Sequence, residues 1–157
     1  MELYDVKIVT GYDHLECIRQ LIIQYTRSLN RNLDFQNLKE ELQDIEKKYG
    51  RPAGALLAAL SEEDQVIGCV ALRPLGEGIC EMKRLYVLPE YRSKKIGLLL
   101  VQRIIEEARL AGYREMRLDT LEPMKPAIAL YKKCGFREIP AYYPNPMSDV
   151  IYMALSL

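Results

Sequence analysis

One stretch, LYVLPEYRSKKIGLLLVQRII, constrains the fold of this chain more than any other. Apolar residues fit a strand from Ile79 to Leu88, Pro89 ends it, and a short basic loop leads directly into a helix from Ile96 to Leu110. A further strand is predicted from Arg114 to Leu121. A strand, a crossover helix and a second strand make a βαβ unit, so the two strands should lie parallel in one sheet.

The remaining pattern predicts a single domain over residues 1–157, of the mixed α/β (α+β) class. A chain of 157 residues that is 49% hydrophobic can fill one core of that size. The predicted order is βααβββαβαββ, with a mostly antiparallel central sheet. The other predicted elements are a strand through Leu3, Val6 and Ile8, helices at Tyr12 to Leu29, Phe35 to Tyr49 and Lys125 to Lys133, and strands at Ala55 to Leu60, Val66 to Leu72, near Phe136 and at Val150 to Leu155. Asp13 is the expected N-cap of the first helix and Gly112 the C-cap of the helix from Ile96.

Charge and composition exclude several classes of protein. The 22 basic and 22 acidic residues cancel, which argues against binding nucleic acid or an anionic membrane. No apolar run has the length of about 20 residues that a membrane helix needs, so we expect a cytoplasmic protein. The four cysteines form no CxxC pair and fit reduced core residues better than metal ligands or disulfides. His14 is the only histidine and is expected at the surface, which leaves no Ser or Cys triad.

The loop before the long helix is a candidate phosphate site. Amides in the first turn of a helix have no partner within the helix, and the helix dipole adds partial positive charge there. The predicted cradle therefore spans Arg92 to Leu98, with Arg92, Lys94 and Lys95 adding charge. A basic helix start that binds only water is the alternative. The GxxxxGK[ST] and dinucleotide patterns are both missing, which argues against a nucleotide-binding signalling domain.

Two motifs in this region resemble those of a known family, the GNAT superfamily of acetyl-CoA-dependent acyltransferases. The first resembles its L-x-V-x-P-x-x-R strand and its [RQ]-x-x-G-x-[GA] loop, and is matched by Leu85, Val87, Pro89, Arg92 and Gly97. Lys95 stands where the family usually has glycine. The second, from Ala129 to Phe136, resembles A-x-x-L-Y-x-K-x-G-F, and Met124 stands where many members have asparagine.

The resemblance implies a cofactor position. In that family the sheet has helices on both faces and splays between its fourth and fifth strands, and a bulge near Arg84 would help to open it. The pantetheine arm pairs with the fourth strand, here Leu85, Tyr86 and Val87, while Tyr131 and Lys133 belong to the second motif and also face the cofactor. The diphosphate then lies on the loop and first turn made of Arg92, Ser93, Lys94, Lys95, Ile96, Gly97 and Leu98.

The resemblance also implies catalytic roles. Tyr131 is the expected general acid that protonates the departing sulfur, and the Val87 amide would stabilise the oxyanion. Glu81 lies where several members place a catalytic base, but an ion pair with Lys83 or Arg84 fits it equally well. Asp119 and Thr120 either face the acceptor or cap the strand end. The loop from Pro140 to Pro146 fits either a wall of the acceptor pocket or a homodimer contact.

The function implied is transfer of an acetyl group from acetyl-CoA to a primary amine of a small molecule or peptide, by direct attack on the thioester and without a metal. The alternative is a non-catalytic acyl-CoA-binding or regulatory module, for which Lys95 and Met124 are the two hints.

Overall fold

The computed structural model describes residues 6–33 and 37–157. Within this part of the chain, seven strands form one sheet in the order β1-β2-β3-β4-β5-β7-β6. The strands are β1 (Lys7–Thr10), β2 (Ala55–Leu60), β3 (Val66–Gly76), β4 (Ile79–Val87), β5 (Glu115–Leu121), β6 (Arg137–Ile139) and β7 (Val150–Ser156). The helices are α1 (Leu15–Leu29), α2 (Leu38–Gln43), α3 (Ile45–Tyr49), α4 (Ile96–Leu110) and α5 (Lys125–Lys133). Only β4 and β5 pair in parallel among the described strands, which confirms the predicted mixed sheet.

The second predicted helix is two helices in the structure. Asp44 lies between α2 and α3, and its side chain accepts a hydrogen bond of 3.0 Å from the Lys47 amide. An aspartate that caps a new helix in this way ends the preceding one. The predicted start at Phe35, like Leu3 of the first strand, lies outside the described residues.

The predicted cap at Asp13 is wrong. Asp13 lies within a 3₁₀ turn from Tyr12 to His14, and His14 is the residue that precedes α1, without a side-chain cap. Gly112 does end α4, with a φ of +90° and the Tyr113 amide bonded to the Ala108 carbonyl. This is the arrangement in which glycine is favoured, because it adopts a positive φ without a Cβ clash.

Helices cover both faces of the sheet, as expected. Helix α4 packs its apolar stripe into one core with α5, and α1 and α3 fill the other. The stripe consists of Ile96, Leu100, Val101, Ile104, Ile105 and Ala108. Leu99 is 40% exposed and lies outside this stripe. Burying each large aliphatic side chain contributes roughly 1.5–3 kcal/mol, so the stripe fixes where the N-terminus of α4 lies.

A bulge in β4 opens the sheet. Cys69 pairs with Tyr86 and Ala71 pairs with Lys83, so two steps along β3 correspond to three along β4. Arg84 sits in this bulge with a φ of +62°. Strand β5 pairs only with Ile79–Glu81 of β4, and the two strands separate beyond that point. The predicted bulge and splay are both confirmed, and the unpaired part of β4 presents main-chain groups to the gap.

Arg84 is held by a buried ion pair with α2. Its Nε and Nη2 atoms lie 2.8 and 3.0 Å from the two carboxylate oxygens of Glu41, whose side chain is fully buried. Lys48 of α3 also contacts Glu41. Burial raises the pKa of Glu41, but Arg84 and Lys48 outweigh that effect and hold the pKa at about 2. The carboxylate is therefore ionised at neutral pH and ties α2 to the bulge.

Replacing Glu41 with Gln should lower the free energy of unfolding at pH 7 by about 3 kcal/mol, because Arg84 would stay buried without its counter-charge. The folded pKa of about 2 lies below the ordinary value of 4.5, so the contribution of Glu41 is complete above pH 4.5 and is lost as the pH falls to 2. Urea unfolding at pH 7 and pH 3 should therefore show a steeper acid loss for the wild type than for Glu41→Gln. Glu40→Gln, at the exposed neighbour, is the control. Equal stability of both variants at pH 7 would contradict a structural role for Glu41.

Candidate active site

The gap between β4 and β5 holds a cavity of about 50 Å³. Its walls come from both strands, from α5 and from the loop before β7, and include Lys83, Leu85, Asp119, Thr120, Met124, Tyr131, Asn145 and Met147. A cavity of this size has room for only a few atoms of a bound molecule. Of the sequence-predicted residues, the structure brings Leu85, Asp119, Thr120 and Tyr131 together here.

A larger cleft of about 720 Å³ lies beside α2 and α3. Charged residues line it, among them Glu41, Lys48, Arg73 and Glu81, and Tyr143 closes one side. Lys83 lines both the cleft and the smaller cavity. A cleft of this volume is typical of sites that bind small molecules, and here it lies next to the gap in the sheet.

Glu81 lies on the floor of the cleft with three partners. Its carboxylate accepts hydrogen bonds from Arg73 Nε at 2.8 Å and from the Tyr142 hydroxyl at 2.6 Å, and Lys83 Nζ lies 3.8 Å away. Burial raises the pKa of Glu81, but Lys83, Tyr142 and Arg73 lower it further than burial raises it. Glu81 is thus ionised at neutral pH. Arg84, one of the ion-pair partners expected from the sequence, is bound to Glu41 instead.

The aromatic loop between β6 and β7 forms a wall of both spaces. Tyr142 bonds to Glu81 on β4, and the Tyr143 hydroxyl donates to Asp119 on β5. The rings of Tyr142, Tyr143 and Tyr152 pack edge to face, with centroids 5.2–5.5 Å apart. The position of the loop accords with the pocket-wall interpretation. The hydrogen bond of Asp119 to Tyr143 makes it part of that wall rather than a strand cap.

The loop before α4 has the backbone that an anion cradle requires. Ser93 and Lys95 have φ values of +69° and +62°, and the first helical hydrogen bond runs from the Leu99 amide to the Lys95 carbonyl. The amides of residues 96–98 therefore precede the helical ladder. Lys95 departs from the glycine of the family motif but adopts the positive φ that glycine accepts most readily.

The end of β4 offers one main-chain donor to the gap. The Leu88 amide donates to the Ile67 carbonyl of β3 at 2.9 Å. Successive amides of a strand point to opposite sides, so the Val87 amide faces away from β3 and toward the opening. Arg92 Nε donates to the Val87 carbonyl at 3.1 Å, and its guanidinium stacks on the Tyr86 ring. The Tyr86 side chain itself is buried in the core with α1, and its backbone pairs with Cys69 of β3.

Tyr131 faces the cavity from the last turn of α5. Gly135, with a φ of +103°, ends that helix and turns Phe136 back, so that its ring contacts Tyr131 edge to face at 5.8 Å. Burial raises the pKa of Tyr131 above its ordinary value, so the phenol keeps its proton at neutral pH. Lys133 is exposed beyond the cavity, and His14 lines neither space.

Several residues of the site could not be found from the sequence. Arg73, Lys48 and Glu41 come from three separate elements. Outside both spaces, Arg31 follows α1 and binds Asp149 through two hydrogen bonds, one of 2.7 Å. Glu41 and Arg84 lie 43 residues apart and Arg31 and Asp149 lie 118 residues apart, so neither pair has a local pattern.

All four cysteines are free thiols, and Cys17 is exposed on α1 rather than in the core. No helix in residues 6–33 and 37–157 has the length and apolarity to cross a membrane.

Comparison with known proteins identifies the class. The sequence profile of the Acetyltransferase (GNAT) family matches residues 19–136, which is most of the chain, and the chain belongs to that family. An uncharacterized N-acetyltransferase of Schizosaccharomyces pombe is 44% identical over 144 residues, covering 91% of this chain and 88% of that protein.

Solved structures show the same fold. An acetyltransferase of the GNAT family from Staphylococcus aureus superposes with a TM-score of 0.81 at 22% identity, covering 97% of this chain and 99% of the other. The PaiA N-acetyltransferase of Thermoplasma acidophilum, solved in complex with coenzyme A, superposes with a TM-score of 0.75 at 18% identity, covering 98% and 99%. The protein is therefore an acetyltransferase of GNAT fold.

Replacing Lys95 with Gly should stabilise the protein relative to Lys95→Ala by about 1 kcal/mol, since both remove the side chain but only glycine relieves the positive φ. Chemical unfolding of the two variants measures this difference. A glycine variant no more stable than the alanine variant would show that Lys95 is not left-handed in solution.

Proposed function

We propose that the protein transfers an acetyl group from acetyl-CoA to a primary amine of a small molecule or peptide by direct attack on the thioester. The observation that carries this proposal is the gap between β4 and β5, which lies beside a cleft of about 720 Å³ and on a strand that leads into the loop before α4. Membership of the family and the coenzyme A complex of a protein with the same fold support the choice of donor.

The residues present fit the donor. The pantetheine arm would pair with the backbone of Leu85, Tyr86 and Val87, and the diphosphate would accept hydrogen bonds from the amides of residues 96–98. A Cβ built at Gly97 would approach only the Leu130 side chain, at 3.4 Å, so packing inside the protein does not demand glycine there. Glycine would instead let the diphosphate approach the main chain of the first turn closely. Ser93, Lys94 and Lys95 would surround the phosphates, with Lys133 near the rim.

The chemistry follows from the groups at the gap. Acetyl-CoA supplies an acetyl group on a thioester, in which the carbonyl carbon is open to an amine. The Val87 amide would donate to the carbonyl oxygen as negative charge develops there. Tyr131 would give its proton to the sulfur as the carbon–sulfur bond breaks, and the phenol would regain it from solvent. The new bond joins the acceptor nitrogen to the acetyl carbon, and that nitrogen releases one proton.

Glu81 is the proposed acceptor of that proton, through water. Its ionised state and its place in the cleft support the role, while its bonds to Arg73 and Tyr142 support the ion-pair alternative equally. The lowered pKa means that a base role would limit kcat/KM only at acidic pH, below the ordinary carboxyl range. Glu81→Gln should therefore remove an acidic limb of the pH profile of kcat/KM. An unaltered profile would leave Glu81 with the ion-pair role alone.

The experiment that tests the function combines binding and turnover. Coenzyme A titrated into the protein should release or absorb heat, and a panel of primary amines with acetyl-CoA should yield free thiol. Binding without thiol release across the panel would favour the non-catalytic acyl-CoA-binding module. Tyr131 lines the cavity in the gap and Glu81 lines the neighbouring cleft, which favours the enzyme.

Tyr131→Phe should lower kcat by about 100-fold or more while the calorimetric Kd for coenzyme A changes little, because general acids contribute roughly 10²–10⁴ in rate. Tyr113→Phe is the matched control, since its hydroxyl bonds to Ala53 and lines neither space. If kcat of Tyr131→Phe equals that of the wild type, the phenol is not the acid.

A cytoplasmic location and a homodimer stay predictions.

A further inference from the structure

The ion pairs of the cleft expose their bases and bury their acids. Glu41 and Glu81 have side chains that are 0% and 2% exposed. Their partners Lys48, Arg73 and Lys83 are 23%, 34% and 9% exposed. A ligand in the cleft therefore meets cationic groups first, although acidic and basic residues alternate along its lining.

The floor of the cleft also carries an excess of positive charge. Among the lining residues below the rim, two carboxylates, Glu41 and Glu81, face three cations, Lys48, Arg73 and Lys83, which leaves a net charge of +1. The other charged lining residues, Glu40, Asp44 and Lys47, lie on the exposed rim, where solvent screens them. Charges on the buried floor are screened much less, so the floor determines which ligand charge the cleft favours.

Lys83 is the cation closest to the chemistry. Its Nζ atom lies 3.8 Å from Glu81, which is longer than a hydrogen bond. Burial is the main cause that lowers the pKa of Lys83, and the positive charge of nearby Arg84 lowers it further, to about 8. An anion beside Lys83 would restore the missing stabilisation. Because Lys83 lines both spaces, an anion bound to it would lie at the passage from the cleft to the gap.

The position of Lys83 also bears on the shape of the acceptor. Lys83 lines both the cleft and the cavity in the gap, so an anionic group bound to Lys83 would lie next to the space that the attacking amine must enter. An α- or β-amino acid, whose amine and carboxylate lie close together, meets that requirement. A second cationic group, as in a polyamine, would instead lie against Lys48 and Arg73 and be repelled.

We propose that the acceptor is a free amino acid, whose carboxylate binds Lys83, with Lys48 and Arg73 on either side, while its amine enters the gap between β4 and β5. This inference rests on the proposed function and narrows its acceptor from primary amines in general. It excludes the N-terminus of a peptide as the preferred acceptor, because there the carboxylate has become an amide.

The first test compares matched acceptors. For each of several side chains, the amino acid, its carboxamide and the corresponding amine without the carboxyl group are assayed for thiol release with acetyl-CoA. At least one amino acid should have a kcat/KM at least tenfold above its carboxamide. Turnover that favours the carboxamides or amines throughout would overturn the inference and leave the proposed function intact. Absence of thiol release with every compound would instead overturn the proposed function.

The second test uses Lys83→Met, which keeps a long side chain and removes the charge. Glu81 would retain Arg73 and Tyr142, and the loss of a poorly stabilised buried charge should not destabilise the fold. The variant should raise KM for the best amino acid at least tenfold and change KM for its carboxamide less than twofold. Lys47→Met, on the exposed rim, is the control and should change neither value.

A binding measurement keeps the inference testable if Lys83→Met folds poorly. Lys48→Met is the second variant, and the amino acid is titrated calorimetrically into protein saturated with coenzyme A. Wild-type protein should bind the amino acid more tightly than the carboxamide, and Lys48→Met should reduce that preference. Equal affinity of the wild type for both compounds would overturn the inference.

Discussion

The buried pair of Arg84 and Glu41 is the interaction on which the rest of the site depends. A non-glycine residue in the left-handed region is strained, and Arg84 adopts it at the point where β4 bulges away from β3. The two hydrogen bonds that Arg84 donates to Glu41 of α2 hold the arginine in that conformation. Because β4 bulges there, β5 can leave it after Glu81, and the cavity, the Val87 amide and the cleft all follow from that separation.

The functional groups expected to bind the donor belong mostly to the main chain. The amides of residues 96–98 and of Val87 are placed by the helix start and by the strand, not by particular side chains. This explains how Lys95 can stand where relatives of this class have glycine. The loop has a positive φ at this position, and lysine adopts it at a cost of about 1 kcal/mol relative to glycine.

Sequence patterns predicted the local parts of this structure well. Helices α4 and α5 begin and end where expected, because both combine a clear apolar period with a nearby glycine that ends them. The pattern failed where a single polar residue decides, as at Asp44, which divides a helix, and at Asp13, which does not cap one. The cleft could not be predicted, because Glu41 meets Arg84, and Tyr142 meets Glu81, across 43 and 61 residues of chain. Spacing along the chain carries no information about such contacts.

The late loop has a consequence for how this enzyme could change during evolution. Tyr142 bonds to Glu81, the last residue of β4 that pairs with β5, and Tyr143 bonds to Asp119, which lies in β5 beyond that pairing. The two side chains link the strands at a fixed separation, so two phenol rings rather than backbone hydrogen bonds set the width of the gap. Variants that keep both hydroxyls can change the other residues of the loop and so accept new acceptor substrates. Loss of either hydroxyl would release one of the two strands from the loop and change the width of the gap itself.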